Sequence, residues 1–282
     1  LLRFRAFYSS SLSRSKIRNF AAKGALKPSL FIMKIYSIIP ARGGSRGVPR
    51  KNIKLLGGYP LIAYSIIASK LSKDIQRTVV STDSSEIAEI AKEFGAEIPF
   101  MRPHELARDS STEFDFLSHY INWFKQNEKS VPDFIVQLLP TTPLRIPRTI
   151  EKAVKMIKQG SSLGTSLRSA HELAEPPQKM FQINKKGFFE GFFPNDPRPN
   201  YFNLPRQTFP KAYHPNGYVD IMRPGFILKN NRVHGSKILA LVTGHITEID
   251  RPEDFEYLEY QIKKSDNPVF NYLKKHFTKN KR

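Results

Sequence analysis

The sequence predicts an α/β protein built on a mostly parallel sheet with helices on both faces. Three observations predict it. Apolar runs of strand character alternate strictly with segments of helical spacing over residues 34–167. The first apolar run leads directly into a stretch rich in glycine and arginine, IIPARGGSRGVPRKN, at Ile38–Asn52. The alternation breaks after Ala170 and returns near Asn216, which marks an insertion.

Lys34–Pro40 alternates and then runs apolar, as a buried first strand does. YPLIAYSIIASKLS, residues 59–72, has helical spacing. IQRTVVSTD (75–83) reads as a second strand whose final Ser-Thr-Asp caps the helix SSEIAEIAKEFG, which stops at Gly95. AEIPFMRP (96–103) reads as a short third strand and STEFDFLSHYINWFKQN (111–127) as a third helix. DFIVQLLP (133–140) is a strongly apolar fourth strand, and RTIEKAVKMIKQG (148–160) is a fourth helix that again ends on glycine. SSLGTSL begins a fifth strand at 161–167.

Residues 171–215 are rich in Pro, Phe, Asn and Lys and lack helical periodicity. They read as an inserted arm with short strands. NGYVDIM (216–222), SKILALVT (236–243) and a final helix from RPEDFEYLEYQIKK (251–264) return to the main body. Ligands of such sheets sit beyond the carboxyl ends of the strands. The loops after Pro40, Val80, Phe100 and Leu139 should therefore share one cleft.

Hydrophobic content of 40% and aromatic content of 12% in 282 residues suffice for a full core. Cysteine is absent, which excludes a disulfide framework, a cysteine-ligated metal and a thiol nucleophile. No apolar run approaches the roughly 20 residues that span a bilayer, so no membrane partner is expected. The formal charge of +20 first suggests nucleic acid. Its location weakens that idea: seven Lys or Arg precede Met33, five lie within Lys274–Arg282, and neither segment carries an acid. The modestly basic body that remains suits an anionic small substrate, and no nucleic-acid partner is expected. A polynucleotide-binding module would instead show steeply salt-dependent affinity.

Residues 1–32 are Arg- and Ser-rich and acid-free. They read either as a transit-like extension or as non-native sequence ahead of a start at Met33, and both readings leave them out of the fold. The expected organisation is then one folded domain at 33–265 with its arm at about 171–215, and a basic tail at 266–282. The expected location is cytoplasmic, with organelle import if residues 1–32 are a genuine transit peptide.

The Gly-Arg stretch suggests chemistry. Gly43, Gly44 and Gly47 let the backbone approach a ligand closely and take φ > 0. Exposed N–H groups in such a loop form an anion nest, and Arg42, Arg46, Arg50 and Lys51 neutralise charge around it. A triphosphate fits best, although a flexible basic surface turn has the same composition. No Gly-Lys-Ser/Thr follows, so this is not a Walker A loop, and the dinucleotide fingerprint GxGxxG is a poor match. His214, beside Pro215, is a weak candidate for a general base, and none of the seven histidines has metal-ligand spacing.

With IPARGGSRGVPRKN at 39–52, the chain carries VVSTD (79–83), FMRPHELARD (100–109), LLPTTPLR (138–145), PRQTFPKAYHPNG (205–217) and EIDRPEDF (248–255). In this order the motifs resemble the cytidylyltransferases that activate acidic sugars: N-acylneuraminate, pseudaminate, legionaminate and, more distantly, 3-deoxy-manno-octulosonate. The resemblance covers about Lys34 to Tyr260. It implies a three-layer, Rossmann-like nucleotide-diphospho-sugar transferase fold whose inserted arm makes a homodimer. It also implies transfer of CMP from CTP to the anomeric hydroxyl of an acidic sugar, with loss of pyrophosphate. The alternative is a nucleotidyltransferase of the same fold with another sugar or another NTP.

By the same resemblance Arg42, Ser45 and Lys51 match triphosphate-binding positions, with Ala41 beside them, and Asn52 matches a nucleotide contact. Ser81 and Arg102 match the part that encloses cytosine and ribose. The chemistry calls for a hard cation, Mg2+ with Mn2+ as the substitute. Glu248 and Asp250 are its expected ligands, since i and i+2 share a side of an extended segment; the family usually has Asp at both positions. Asp250 could instead cap the helix that starts near Pro252. Lys179 and Arg206 are candidates for the sugar carboxylate. Acceptor positions depart from the family: Leu139 precedes Pro140 where sialate synthetases have glutamine, Asp220 replaces a tyrosine, and Val233–His234 replaces an aromatic pair.

Overall fold

The computed structural model describes residues 33–160 and 164–279. The expectations for residues 1–32, and for the first residues of the fifth strand at 161–163, lie outside the described residues. The chain runs β1 (Ile35–Pro40), β2 (Leu55–Leu56), β3 (Tyr59–Pro60), α1 (Leu61–Lys70), β4 (Arg77–Ser81), α2 (Ser85–Glu93), α3 (Glu113–Asn127), β5 (Phe134–Gln137), α4 (Pro147–Gln159) and β6 (Ser166–Glu172). There follow β7 (Phe181–Ile183), β8 (Phe189–Gly191), β9 (Tyr213–Met222), α5 (Pro224–Asn230), β10 (Ile238–Thr243), α6 (Pro252–Lys264) and α7 (Pro268–His276).

Six strands form the central sheet in the order β10-β6-β9-β5-β1-β4. β1 pairs parallel with β4 and with β5, and β10 pairs parallel with β6. β9 is antiparallel to both its neighbours, so the sheet is mixed. Side chains alternate across a strand, and the core divides accordingly. Ile35, Ile39, Val80, Val136 and Ile221 pack on one face with α1, α2, α4, α6 and α7. Ile38, Val79, Ile135 and Met222 pack on the other with α3 and α5. This is the three-layer arrangement that the alternation predicts.

The expected third strand at 96–103 does not form. Val79 and Glu97 make a single parallel bridge, and Pro99 and Pro103 withhold the N–H groups that a ladder would need. The cap of α2 is Ser84, whose hydroxyl accepts from Ile87 N. Asp83 is instead turned to the Gly-Arg loop, where it accepts from Gly43 N at 2.8 Å.

The basic tail expected at 266–282 is in its described part a helix. Asn267 caps α7 through its side chain, which accepts from Val269 N and Phe270 N at 3.0 Å. Pro268 occupies the first helical position, and Lys274, Lys275 and His276 lie in the last turn, where the helix dipole favours cations. Phe270 stacks on Tyr64 of α1, with ring centroids 6.4 Å apart. The charge run is thus the solvated face of a docked helix. It covers α1, which is buried along almost its whole length because the sheet lies on its other side.

β9 begins at Tyr213, inside the expected arm, and its first residues pair with the end of β6 through His171 opposite His214. The β7–β8 hairpin lies in the excursion between β6 and β9, and it exposes Ile183, Phe188 and Phe189 at 70%, 67% and 74%.

Candidate active site

A cavity of about 510 Å³ opens beyond the carboxyl ends of β1 and β5, where the fold rule places ligands. Pro40 and Arg42 line it from the loop after β1, Arg102 from the loop after Phe100, and Leu139 from the loop after β5. The loop after Val80 acts from beneath. Ser81 is fully buried, and its hydroxyl and carbonyl oxygens accept from Arg102 Nε at 2.9 Å and Arg102 Nη2 at 2.5 Å. Burial pulls the Arg102 guanidinium down to about 10, still well above neutral pH. Ala41 is buried and donates its N–H to the Ser81 carbonyl at 2.9 Å. Ala41 and Ser81 therefore position Arg102 and the loop, and their side chains do not line the cavity.

The Gly-Arg loop follows β1 without regular structure until one 3-10 turn at Lys51–Ile53. Gly43, Gly44 and Gly47 all keep negative φ, and the left-handed residue is Arg50, at φ 53°. The expected positive φ at the glycines is corrected. Gly47 is required by close approach, because a Cβ there would overlap the Asp250 carbonyl oxygen. Asn52 is buried and donates from Nδ2 to the Arg42 carbonyl at 2.9 Å, which braces the loop from below. Ser45 is half-buried in the loop. Arg42 Nη2 lies 2.7 Å from Asp109 Oδ1, and Arg46 Nε donates to Asp109 Oδ2 at 2.5 Å.

Lys51 reaches away from this cluster. Its Nζ donates to the Ile249 carbonyl at 2.8 Å. Ile249 is fully buried, and its N–H donates to the Thr141 carbonyl at 2.9 Å. With Ile249 turned inward, the side chains on either side of it in the extended segment, Glu248 and Asp250, take the opposite side. Glu248 lines the cavity and Asp250 is exposed.

Asp250 is not the helix cap. The N-cap position of α6 is Arg251, and Asp254 in the first turn reaches back to it: its Oδ2 accepts from Asp250 N at 2.7 Å and Arg251 N at 2.8 Å, the return half of a capping box. Among the described residues nothing pairs with the Asp250 carboxylate. Burial, and then the Asp250 charge, push the Glu248 carboxyl above its ordinary range. Two adjacent carboxylates that repel each other beside a cavity have the oxygen donor set that Mg2+ takes.

The acceptor residues divide. Asp220 lies in the cavity, 4% exposed, and burial pushes its carboxyl up to about 6 even though Arg168 Nε donates to Oδ2 at 3.1 Å. Lys179 and Arg206 do not reach this cavity. Lys179 Nζ donates to the Leu204 carbonyl at 3.1 Å and Arg206 Nη1 to the Ala174 carbonyl at 3.0 Å, both within the arm.

Sequence reasoning missed Arg145, Gln137, Arg168 and Glu113. Arg145, in the LLPTTPLR motif, is completely buried. It donates to the carbonyls of Leu139 and Gly217 at 2.8 Å and of Tyr218 at 2.5 Å, fastening two cavity loops together. Burial pulls it down to about 9. Gln137 was detectable as a polar residue inside an apolar strand. Arg168 and Glu113 carried no local signal, since only the sheet order brings Arg168 to the cavity and only the docking of α3 brings Glu113.

Residues 36–190 match the family model described as Cytidylyltransferase. The chain is 33% identical over 233 residues to the CMP-N,N'-diacetyllegionaminic acid synthase of Legionella pneumophila, covering 80% of this chain and 95% of that protein. It is 30% identical to the pseudaminic acid cytidylyltransferase of Campylobacter jejuni, covering 84% of this chain and all of that one. In fold it is similar to a CMP:2-keto-3-deoxy-manno-octonic acid synthetase solved with CTP, at a TM-score of 0.61 and 17% identity, over 82% of this chain and 99% of that one. The chain thus belongs to the cytidylyltransferase family and is a nucleotidyltransferase.

Proposed function

We propose that this enzyme transfers CMP from CTP to the anomeric hydroxyl of an acidic sugar of the nonulosonate type, with release of pyrophosphate. The observation that carries this reading is the docking of the Gly-Arg loop onto the Glu248–Asp250 segment at the mouth of one cavity. It joins a cluster of cations to a pair of carboxylates, as direct attack on an α-phosphate requires. The curated relatives named above, matched along nearly their whole length, carry CMP-sugar synthase and cytidylyltransferase names.

In this reading Arg42, Ser45 and Lys51 hold the triphosphate and neutralise the charge that moves onto the leaving pyrophosphate. Asn52 keeps the loop in shape, and Arg102, held in place by the buried Ser81, walls the nucleoside end. The anomeric oxygen attacks the α-phosphorus in line. One P–O bond forms as the bond to the β-phosphate bridge breaks, and the hydroxyl proton leaves to solvent. Glu248 and Asp250 would hold Mg2+, or Mn2+ in its place, and when bound the cation supplies charge neutralisation at the triphosphate. The protein's own contribution is largely positioning.

The exposed Phe188 and Phe189 of the hairpin support a homodimer, because an apolar patch of this kind is costly in water. Lys179 and Arg206 ride on the same arm, so in a dimer they would serve the sugar carboxylate of the neighbouring cavity. Pyrophosphate release, measured with each of four NTPs against a panel of sugar acids, tests the function. Turnover with CTP and a nonulosonate is expected. Turnover only with another NTP or a neutral sugar would overturn it.

A further inference from the structure

Glu113, Asp220 and His234 are distant in sequence and meet at one wall of the cavity. A carboxylate oxygen from each acid and a ring nitrogen from His234 all lie within 4.8 Å of one another. They come from separate elements: the first turn of α3, the carboxyl-terminal third of β9, and the segment between α5 and β10. Each side chain is held from behind. Gln137 Nε2 donates to Glu113 Oε1 at 2.6 Å. Ser169 N and Arg168 Nε donate to the two oxygens of Asp220 at 3.3 and 3.1 Å. His234 Nδ1 lies 2.9 Å from the hydroxyl of Ser166, itself fully buried.

The facing atoms do not satisfy one another. Glu113 Oε2 and His234 Nε2 are 3.9 Å apart, too far for a hydrogen bond. His234 Nε2 is buried and has no hydrogen-bond partner. The same holds for Oε1 of Gln137, a residue only 4% exposed whose amide reaches Glu113. Buried polar atoms without partners are uncommon and costly. Two at one wall indicate a guest.

We propose that Glu113, Asp220 and His234 bind a divalent transition-metal cation at this wall, at a site separate from Glu248 and Asp250. An imidazole anchored through its far nitrogen, beside two carboxylates that are themselves hydrogen-bonded, is the arrangement that orients metal ligands. The imidazole favours Zn2+ or Co2+ over Mg2+. Arg168 opposes a cation, but two carboxylates against one guanidinium leave the wall negative. The ligand atoms must close to about 3.3–3.6 Å apart to share tetrahedral bonds of about 2.0–2.2 Å. Glu113, the first residue of α3 and 29% exposed at its side chain, has room for that movement. This site does not depend on the proposed transfer reaction.

Full-length protein, stripped with a chelator and free of nucleotide and sugar, is titrated with Co2+ and followed by visible absorption, and with Zn2+ by calorimetry. One ion per chain is expected at this site. His234→Ala should weaken it at least tenfold with its thermal midpoint monitored. Ser166→Ala, which removes only the anchor, should weaken it about 10- to 100-fold. Asp250→Asn should leave it intact. Wild-type binding no tighter than that of His234→Ala would overturn the proposal, as would binding lost in Asp250→Asn instead. A blank metal titration with a His234-dependent affinity for an amino sugar acid would also overturn it, since the guest would then be a hydrogen-bond donor on the acceptor.

Discussion

Lys51 Nζ donates to the Ile249 carbonyl at 2.8 Å, across 198 residues of sequence. The bond ties the Gly-Arg loop to the backbone between Glu248 and Asp250. An ammonium has three donors, so two remain for an anion beside the loop. Lys51→Gln removes the charge and weakens the tie. Its kcat/KM for CTP should fall about 100-fold or more, while the fold loses only about 1–2 kcal/mol. Pyrophosphate release and a denaturation midpoint measured together check this. Wild-type turnover in Lys51→Gln would remove the residue from the triphosphate site.

The same docking makes Gly47 sensitive and Gly44 tolerant. A Cβ on Gly47 meets the Asp250 carbonyl, which is backbone and cannot swing away, whereas one on Gly44 meets nothing within 4 Å. Neither residue needs positive φ. Gly47→Ala should therefore push the two segments apart, cost about 1–3 kcal/mol and lower turnover. Gly44→Ala should match wild type in stability. Equal effects of the two alanines would mean that the loops are not coupled through this contact.

Such contrasts show what the sequence could and could not carry. The apolar alternation of β1, β4 and β5 fixes which faces are buried, because strand period and burial are one local property. The direction of β9 was not legible, since an antiparallel strand has the same alternation as a parallel one. The basic run after Asp266 looked like a tail because charge dominates composition, while the helix depends on the Asn267 cap and on Val269, Phe270 and Leu273 packing into the core. That Glu248 and Asp250 share a side of the chain was legible as a spacing of two, whereas their part as cation ligands was only what the resemblance implies. The Glu113, Asp220 and His234 group was not, because the register that pairs Gln137 with Asp220 and Asp220 with Arg168 exists only in the assembled sheet.

The arm makes a prediction of its own. Phe188 and Phe189 are mostly exposed in the single chain, so replacing both by Ser removes little intramolecular packing. If the hairpin meets a second copy of the chain, the double variant should sediment as monomer at concentrations where wild type is a dimer. Its turnover should fall although its thermal midpoint as a monomer is preserved. A wild-type protein that sediments as monomer at high concentration contradicts the homodimer.

Three histidines meet where the arm leaves the sheet. The His171 ring lies 5.7 Å from His214 and 5.0 Å from His245, on β6, on β9 and after β10. Burial, then the charges of His245 and His214, hold His171 below its ordinary value of 6.5. The folded state thus binds this proton less readily than the unfolded chain. Its stabilising contribution is present above the ordinary value and is lost as pH falls through the lower folded-state value. His171→Gln should flatten the decline of thermal midpoint with acidity below about pH 6.5. A decline as steep as that of wild type would assign the effect to other groups.

Asp250 and Asp254 separate binding from capping most clearly. Asp254 Oδ2 takes the N–H groups of both Asp250 and Arg251, so the hydrogen bonds that hold the entry to α6 rest on Asp254. The Asp250 carboxylate is exposed and faces the same side as Glu248, whose own carboxyl its charge helps to raise. Asp254→Ala should therefore cost about 1–2 kcal/mol of stability, the loss of its reach-back hydrogen bonds, with turnover reduced only in proportion to any fraction unfolded. Asp250→Asn should do the reverse. It keeps size and hydrogen-bonding shape and relieves repulsion on Glu248, so its thermal midpoint should match or exceed wild type. It also removes half the negative charge that a hard cation would find there, and turnover should fall by a factor on the order of 100 or more. Raising Mg2+ or Mn2+ should recover part of the loss, because a weakened site still fills by mass action. Turnover of Asp250→Asn, measured against cation concentration beside Asp254→Ala, decides between the roles. An Asp250→Asn enzyme with unchanged turnover and unchanged cation dependence would refute the metal role of this pair.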